Sequence, residues 1–344
     1  MLIDARNSAF IRACRGEPTS KTPVWFMRQA GRSFAEYRKL REKHSILDLC
    51  QRPELAAEVT MQPVKRLGVD AAILFSDIVV PLLAMGIDVD IEGGLGPVID
   101  SPIRSEADID MLAPLEQEAG VPHVIEAVKI LVDELDVPLI GFGGAPFTLA
   151  SYMIEGRPSK DHALTKAFMH AQPGAWRKLM DVLATSVLAY LRAQIAAGAA
   201  AVQLFDSWAG ALNAKDYNTH VAPSVRTIFE GLASTGVPRI YFGVTTGEIL
   251  PDMAAAGPDV MGVDWRVPLS GARTRMPPNI TALQGNLDPA LVLAPWEVLE
   301  AEARSVLESG GGSAHVFNLG HGVLPQTDPD VLARLVDFVH DWSP

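Results

Sequence analysis

Short apolar segments alternate with amphipathic segments along almost the whole chain, and this alternation restricts its possible folds more than any other feature. Eight segments of five to seven residues are rich in β-branched or aromatic side chains. Continuous apolar segments separated by helices are typical of parallel strands buried on both faces. The predicted strands are residues 23–27, 71–75, 138–142, 200–205, 239–244, 260–265, 280–285 and 314–320.

The intervening segments carry helix signals. Residues 52–68 place Pro53 at a favourable first helical position and end on Gly68. Residues 328–342 repeat apolar side chains with a helical period. Eight strands with such helices predict an α/β fold, a single (β/α)₈ TIM barrel, and a doubly wound open sheet is the alternative. We expect one catalytic domain over residues 1–344, with an N-terminal extension of about 20 residues.

Polar residues follow the predicted strands, where the chemistry of such barrels lies. We refer to them as the polar rim. They are Arg28, Asp77, the loop 143–148, Asp206, Ser207, Thr245, Thr246, Asp264, Asn286, Asn318 and His321. Because any strand must end in something polar, the pattern suggests a site without defining one.

A basic segment near the N-terminus contrasts with the rest of the chain. Residues 27–43, MRQAGRSFAEYRKLREK, contain six Lys and Arg against two Glu, whereas the formal net charge is −12. The acidic balance argues against nucleic acid or an anionic membrane as a partner. The basic segment therefore predicts a focused local site for an anion.

Arg28 and Arg32 are four residues apart, so on a helical turn they share a face. The residues between them are small, which lets a ligand approach the backbone. Guanidinium groups suit carboxylates better than ammonium groups do. We interpret this pair as an anion clamp, whereas Arg38, Lys39 and Lys43 are equally consistent with a solvated face.

Three more rim residues are candidates for a function. Asp77 suits either a helix cap or a carboxylate at the barrel mouth, and the sequence leaves both open. Ser207 lacks the G-x-S-x-G pattern of a nucleophile, so capping or ligand hydrogen bonding is favoured. His321 lies between two glycines, which favours function, whereas His315 lies inside the last predicted strand and belongs in the core.

The sequence contains no metal or dinucleotide motif, and its histidines are scattered. The two cysteines, Cys14 and Cys50, suit a reducing cytoplasm rather than a disulfide framework. The first ten residues contain Asp4 and no apolar core, unlike a signal peptide. Residues 182–205 are apolar but interrupted by Arg192, and we interpret them as a helix followed by a strand. We expect a soluble, cytoplasmic protein.

Six motifs, in this order, resemble those of the uroporphyrinogen decarboxylase family, and the resemblance extends from about Pro23 to His340. The motifs are PVWFMRQAGR (23–32), LFSDI (74–78), GFGGAPFTLASYMIEG (141–156), FDSWAG (205–210), QGNLDP (284–289) and FNLGHGVLPQTDP (317–329). Each motif alone is weak, but six in order make the resemblance specific.

The resemblance implies a single (β/α)₈ barrel that removes carbon dioxide from the four acetate side chains of uroporphyrinogen III. The product would be coproporphyrinogen III, on the route to haem and other tetrapyrroles. The family uses neither a metal nor an organic cofactor and typically forms a homodimer. Its substrate has eight carboxylates, which would explain a basic clamp on an acidic protein.

The resemblance also implies roles for individual residues. Asp77, Arg28 and Arg32 would be catalytic, with Asp77 receiving the pyrrole N–H groups. The implied substrate-binding residues are Arg28, Gln29, Ala30, Gly31, Arg32, Arg41, Asp77, Tyr152, Ser207 and His321.

The chain departs from the family pattern at a few positions. Ser33 and Ala35 stand where the family usually has a tyrosine and a proline, and Phe147 replaces a frequent tryptophan. Two other functions compete with decarboxylation. One is a zinc-dependent methyltransferase of the same superfamily, which would need a Cys/His site, and the other is a tetrapyrrole-binding protein without catalysis.

Overall fold

The computed structural model describes residues 7–93, 96–115, 120–312 and 314–342. The start of the expected N-terminal extension, including Asp4, lies outside the described residues. The strands are β1 (Ala72–Ile73), β2 (Val89–Glu92), β3 (Gly96–Ile99), β4 (Leu139–Gly144), β5 (Ala201–Asp206), β6 (Arg239–Gly243), β7 (Val260–Gly262), β8 (Ala282–Leu287) and β9 (His315–Leu319).

Within the described residues, seven strands form one parallel sheet in the order β1-β4-β5-β6-β7-β8-β9. Each strand pairs with the next sheet strand along the chain, so the order never reverses. A doubly wound sheet reverses its order at a switch point, so that alternative is wrong. The hairpin of β2 and β3 lies outside this sheet and was not predicted.

The parallel sheet is strongly curled. Gln203 on β5 and Gln284 on β8 are both buried, and the Nε2 of Gln284 donates to the Oε1 of Gln203 at 2.9 Å. In a flat sheet, strands three positions apart would be separated by about 14 Å. The hydrogen bond therefore requires the sheet to curve so that β5 and β8 approach each other across its inner face.

The expected first strand, residues 23–27, is not a regular strand. Val24 forms a single parallel bridge with Phe317 of β9. On its other side, the carbonyl of Val24 accepts the N–H of Asp70 at 2.8 Å, while the N–H of Val24 donates to the Asp70 carboxylate at 2.8 Å. The Asp70 carboxylate thus provides a hydrogen bond that a neighbouring strand would otherwise provide. The prediction of eight regular strands was wrong at residues 23–27.

Helices cover the sheet. Their bounds are α1 (Ala9–Cys14), α2 (Ala35–Arg41), α3 (Ile46–Cys50), α4 (Pro53–Leu67), α5 (Val80–Ala84), α6 (Glu106–Asp110), α7 (Pro122–Glu134), α8 (Pro146–Glu155), α9 (Ala163–Ala171), α10 (Pro173–Ala196), α11 (Ala214–His220), α12 (Ala222–Leu232), α13 (Leu250–Ala254), α14 (Leu269–Arg273), α15 (Trp296–Gly310) and α16 (Pro329–Asp341).

The helix signals in the sequence were accurate. Helix α4 begins at Pro53 and ends at a left-handed Gly68, as predicted. Helix α16 begins after Asp328, whose side chain accepts the N–H of Asp330. The apolar region 182–205 forms the second half of α10 followed by β5, which confirms the helix-and-strand interpretation. Among the described helices, α10 alone is long and apolar enough to cross a membrane, and 56% of its most apolar window is buried in the protein.

Candidate active site

Arg28 follows the N-terminal segment and is exposed. Its φ of 58° lies in the left-handed region, which costs a non-glycine residue roughly 1–2 kcal/mol. A Cβ on Gly322 would lie 2.4 Å from the Cδ of Arg28, so the arginine can lie there because residue 322 is glycine. Backbone strain of this kind is concentrated at functional sites.

Asp77 lies beyond the carboxyl end of β1 and is half-buried. Its Oδ1 accepts the N–H of Val79 at 3.1 Å, whereas Val79 itself is the residue at the N-cap of α5. Asp77 thus forms a local turn and is not the helix cap. Burial raises the pKa of its carboxyl group, and the N–H of Val79 and the Arg28 guanidinium offset only part of this rise.

The charge of Arg28 also acts on Tyr152 and His321. Burial raises the pKa of Tyr152, Asp77 raises it further, and Arg28 lowers it. Burial lowers the pKa of His321 to about 4, and Arg28 contributes to that decrease. Four residues from different parts of the chain are therefore close enough to interact electrostatically: Arg28, Asp77, Tyr152 and His321.

His321 is neutral and its tautomer is defined. Its Nδ1 accepts the N–H of Gly322 at 2.6 Å, so the ring proton is on Nε2, which can donate to a ligand. A Cβ on Gly320 would lie 2.4 Å from the backbone nitrogen of Trp265. The two glycines around His321 thus accommodate Trp265 and Arg28.

Aromatic rings form one wall of the site. The ring of Tyr152 on α8 lies 4.0 Å from that of Trp208, and the ring of His162 lies 4.6 Å from that of Trp208. Trp208 lies two residues after β5 and is half-buried, so it joins this wall to the rim. The sequence analysis missed Trp208 and His162, although Trp208 belongs to the quoted motif FDSWAG.

Tyr37 on α2 shows where the other arginines lie. Burial raises the pKa of its hydroxyl, Arg41 and Arg32 lower it, and Asp77 raises it. Both arginines and Asp77 are therefore close to one buried ring. By contrast, Arg38 folds back and its Nη1 donates to the carbonyl of Arg32 at 2.8 Å, so it braces the loop.

The remaining predicted binding residues differ in what they can offer. Ser207 is half-buried directly after β5. Ala30 and Gly31 are half-buried beside the arginines. The Gln29 side chain is fully buried and bonds to the N–H of Phe26 and the carbonyl of Ala71, at 3.1 Å each. Its amide therefore holds the loop and does not face the cleft.

Several other rim residues serve the framework. The Asp264 carboxylate accepts the N–H groups of Thr245 and Arg266. Asn286 donates to the Asp264 carbonyl at 2.8 Å. Asn318 accepts the N–H of Met27 at 3.0 Å and so ties β9 to the N-terminal segment. His315 is buried in β9, as predicted.

Asp206 forms a buried network beneath the rim. Its carboxylate accepts hydrogen bonds from the hydroxyls of Thr148 and Tyr241, both at 2.7 Å. Burial raises the pKa of Asp206 to about 6, although both hydrogen bonds act to lower it. Thr148 also accepts the N–H of Trp208 at 3.3 Å, which links the network to the aromatic wall.

The fold and the rim define an α/β enzyme whose site, at the carboxyl ends of a curled parallel sheet, is suited to an anionic ligand. Arg28 lies near the Asp77 carboxylate, Arg32 and Arg41 lie near Tyr37 beside it, and Tyr152 links this group to the aromatic wall. The uroporphyrinogen decarboxylase family model matches residues 5–342, and the chain belongs to this family of carboxy-lyases.

Curated relatives agree with this assignment. The uroporphyrinogen decarboxylase of Salinispora tropica is 57% identical over 342 residues, which cover 99% of this chain and 92% of the relative. The enzyme of the same name from Bacillus subtilis is 53% identical, with 98% and 96% covered.

A solved structure shares the fold at lower identity. A methyltransferase from Methanosarcina mazei superposes with a TM-score of 0.80 at 21% identity, covering 96% of this chain and 97% of that one. At this identity the likeness concerns the fold alone. Among the described residues, the one group of side chains positioned to hold a metal ion includes neither Cys14 nor Cys50, both of which are buried.

Proposed function

We propose that the protein removes carbon dioxide from the four acetate side chains of uroporphyrinogen III and so forms coproporphyrinogen III, toward haem and other tetrapyrroles. The observation that carries the proposal is the desolvated carboxyl group of Asp77 beside the exposed guanidinium of Arg28. The pyrrole N–H groups of the substrate would bind to Asp77, and its carboxylates would bind to Arg28.

Asp77 is assigned the role of counter-charge. When an acetate loses carbon dioxide, the bond between its methylene and carboxylate carbons breaks and the electron pair needs an acceptor. A pyrrole protonated on a ring carbon accepts that pair, which removes the need for a cofactor as electron sink. Asp77 would accept the ring N–H bonds and stabilise the cationic ring, because a fixed charge acts strongly in a desolvated cleft.

The arginines are assigned to carboxylate binding. Arg28, Arg32 and Arg41 would hold acetate and propionate groups around the ring, since guanidinium groups form charge-assisted pairs with carboxylates. Ala30 and Gly31 would let the substrate approach the loop closely. The interior hydrogen bonds of Gln29 assign it to bracing that loop.

Tyr152, Ser207 and His321 are assigned to hydrogen bonding with the ring substituents. His321 can donate from Nε2 without carrying a charge, because burial keeps its pKa near 4. Trp208 would offer a flat surface to the macrocycle while it turns between successive decarboxylations.

We also propose that residues 23–27 close the curled sheet into a (β/α)₈ barrel that forms a single domain. The indole N–H of Trp25 donates to the Oε1 of Gln284 at 3.0 Å, which supports a closed interior. By analogy with the family, we also propose that the protein is a cytoplasmic homodimer. It would need no metal or organic cofactor and would bind neither nucleic acid nor a membrane.

The test is an anaerobic incubation of chelator-treated protein with uroporphyrinogen III, followed by chromatography of the oxidised porphyrins. We expect products with seven, six, five and four carboxylates to appear in steps. Arg32→Ala should raise the KM, while Lys43→Ala, which alters an exposed cation of the same segment, should not. An unchanged KM in Arg32→Ala would exclude that arginine from the clamp.

Two outcomes would contradict decarboxylation. Substrate that binds without turnover would indicate a tetrapyrrole-binding protein. Neither binding nor turnover, together with stoichiometric zinc at a cysteine, would favour the methyltransferase alternative.

A further inference from the structure

A cluster of potential metal ligands lies on helices α9 and α11 and shares no residue with the candidate active site. It consists of His170, Asp216 and His220, whose ligand atoms all lie within 4.8 Å of one another. Arg28, Asp77, Tyr152 and His321 are not part of it. We refer to these three residues as the α9–α11 cluster.

Local structure brings the three side chains together. Asp216 and His220 are four residues apart on α11, so they share one helix face. His170 comes from the last turn of α9. Its Nε2 lies 3.5 Å from an Asp216 oxygen, and its ring centre lies 5.4 Å from that of His220 at an angle of 86°.

A neighbouring residue orients one of the potential ligands. The Nδ2 of Asn213 donates to the Oδ2 of Asp216 at 2.8 Å, and Asn213 also caps the helix. A hydrogen bond of this type commonly positions a ligand of a metal site. The indole of Trp176 donates to the backbone carbonyl of His220 at 2.9 Å and so fixes the end of α11.

We propose that the α9–α11 cluster binds one divalent transition-metal ion, such as Zn²⁺, and thereby clips α9 to α11. Two imidazoles and one carboxylate form a donor set that favours Zn²⁺, Cu²⁺ or Ni²⁺ over Mg²⁺ or Ca²⁺. Ligands of a tetrahedral zinc ion are roughly 3.3 Å apart at the usual bond lengths. The side chains must therefore close by up to about 1.5 Å, and the half-exposed side chain of His170 is free to rotate.

A simple ion pair explains the cluster less well. A surface pair of His170 and Asp216 contributes little stability. Such a pair also does not explain why His220 lies beside them. Arg177 and Lys215 lie near His220 and would repel a cation, so we expect the site to exchange its ion.

The test uses untagged full-length protein treated with chelator, titrated with Zn²⁺ by calorimetry and with Co²⁺ by visible spectroscopy. We expect one equivalent to bind and excess Mg²⁺ to leave it in place. His170→Ala and His220→Ala should each weaken Zn²⁺ binding at least about tenfold, the lower limit for loss of an outer partner of a metal site. His123→Ala, which removes a histidine on α7, should bind as the unaltered protein does.

The thermal midpoint provides an independent readout. Zn²⁺ should raise it in the unaltered protein and in His123→Ala but not in His170→Ala, because binding to the folded state stabilises that state. Equal Zn²⁺ affinity in His170→Ala, His220→Ala and the unaltered protein, or no stoichiometric binding at all, would overturn the proposal. The measurements need no porphyrinogen, so their outcome is independent of the decarboxylase proposal.

Discussion

The role proposed for Asp77 requires an ionised carboxylate, whereas burial of this side chain favours its neutral form. Burial raises the pKa of its carboxyl group above the ordinary aspartate value, so the folded state binds the proton more tightly than the unfolded state. By linkage, the ionised group destabilises the fold at neutral pH, and this cost disappears as the pH falls below the ordinary value. Such a cost is typical of residues kept for function rather than stability.

We expect Asp77→Asn to lose about 10²–10³ in kcat, as commonly seen when one well-placed electrostatic group is removed. Its melting temperature at pH 7 should equal or exceed that of the unaltered protein, because the uncompensated charge is gone. The difference should shrink as the pH is lowered toward 3.8, the ordinary aspartate value. Turnover assays and thermal melts at several pH values test this, with exposed Asp88→Asn as the control.

His321 should remain neutral throughout the working pH range. Burial lowers its pKa to about 4, and Nδ1 accepts the N–H of Gly322. We therefore expect ¹⁵N chemical shifts of a neutral ring protonated on Nε2 from pH 8 down to about 5. His321→Gln should keep the shape of the pH profile of kcat/KM between those values. A group titrating near pH 6.5 in the unaltered protein, and absent in His321→Gln, would contradict the assignment.

The sequence named candidate site residues, but it could not predict where each side chain is directed. The glycines around His321 indicated function, yet their steric reason, room for Trp265 and Arg28, depends on neighbours distant in sequence. Gln29 sits in the same motif as the arginines, but its amide bonds inward. A motif gives the order of residues, whereas side-chain direction depends on tertiary packing.

At the scale of elements, the N-terminal segment is held by one buried carboxylate. Asp70 accepts hydrogen bonds from the N–H of Val24 and from His340 at 2.7 Å, and it pairs with Lys21 at 2.8 Å. Although burial acts to raise the pKa of Asp70, the bonds from His340 and Lys21 keep it below the ordinary value. The stability it contributes is therefore complete above the ordinary aspartate pKa and is lost as the pH falls through the lower, folded value.

We expect Asp70→Asn to lower the free energy of unfolding at pH 7 by on the order of 2 kcal/mol. Breaking a buried pair costs about 3–5 kcal/mol, and we reduce this because the side chain of Lys21 is 35% exposed. The difference in unfolding free energy between Asp70→Asn and the unaltered protein should become smaller as the pH is lowered. Asp330→Asn, which breaks the exposed pair between Asp330 on α16 and Arg66 on α4, should cost less than about 1 kcal/mol. Equal losses in the two variants during urea denaturation would contradict this role.

Elements with strong local signals were predictable, and elements defined by pairing were not. Helix α4 begins and ends where Pro53 and Gly68 indicated. The hairpin of β2 and β3 was missed although Gly93 and Gly94 between its strands are a turn signal. Asp216 and His220 stand four apart in the sequence, but His170 joins them only through the packing of α9 against α11.

At the scale of the whole molecule, the apolar alternation predicted seven strands of the sheet correctly. The eighth predicted strand, residues 23–27, forms only a single bridge. If residues 23–27 occupy the eighth strand position of a closed barrel, they unfold together with the sheet. Two amides report on it directly: the N–H of Phe317 bonds to the carbonyl of Pro23 and that of Asp70 to the carbonyl of Val24, both at 2.8 Å. Amides of one cooperative unit exchange their hydrogens with the same free energy of opening.

We therefore expect the amides of Phe317 and Asp70 to be as protected in hydrogen exchange as that of Val202 in β5, which bonds to the Pro238 carbonyl at 3.0 Å. Asp70→Asn removes the carboxylate charge and so weakens the contacts that partly fix Val24; in a closed barrel it should therefore lower all three protections equally. In an open sheet with a loose N-terminal segment, Phe317 and Asp70 would exchange much faster than Val202, and the substitution would accelerate exchange only there. That second result would exclude the closed barrel and leave a curled sheet of seven strands among the described residues.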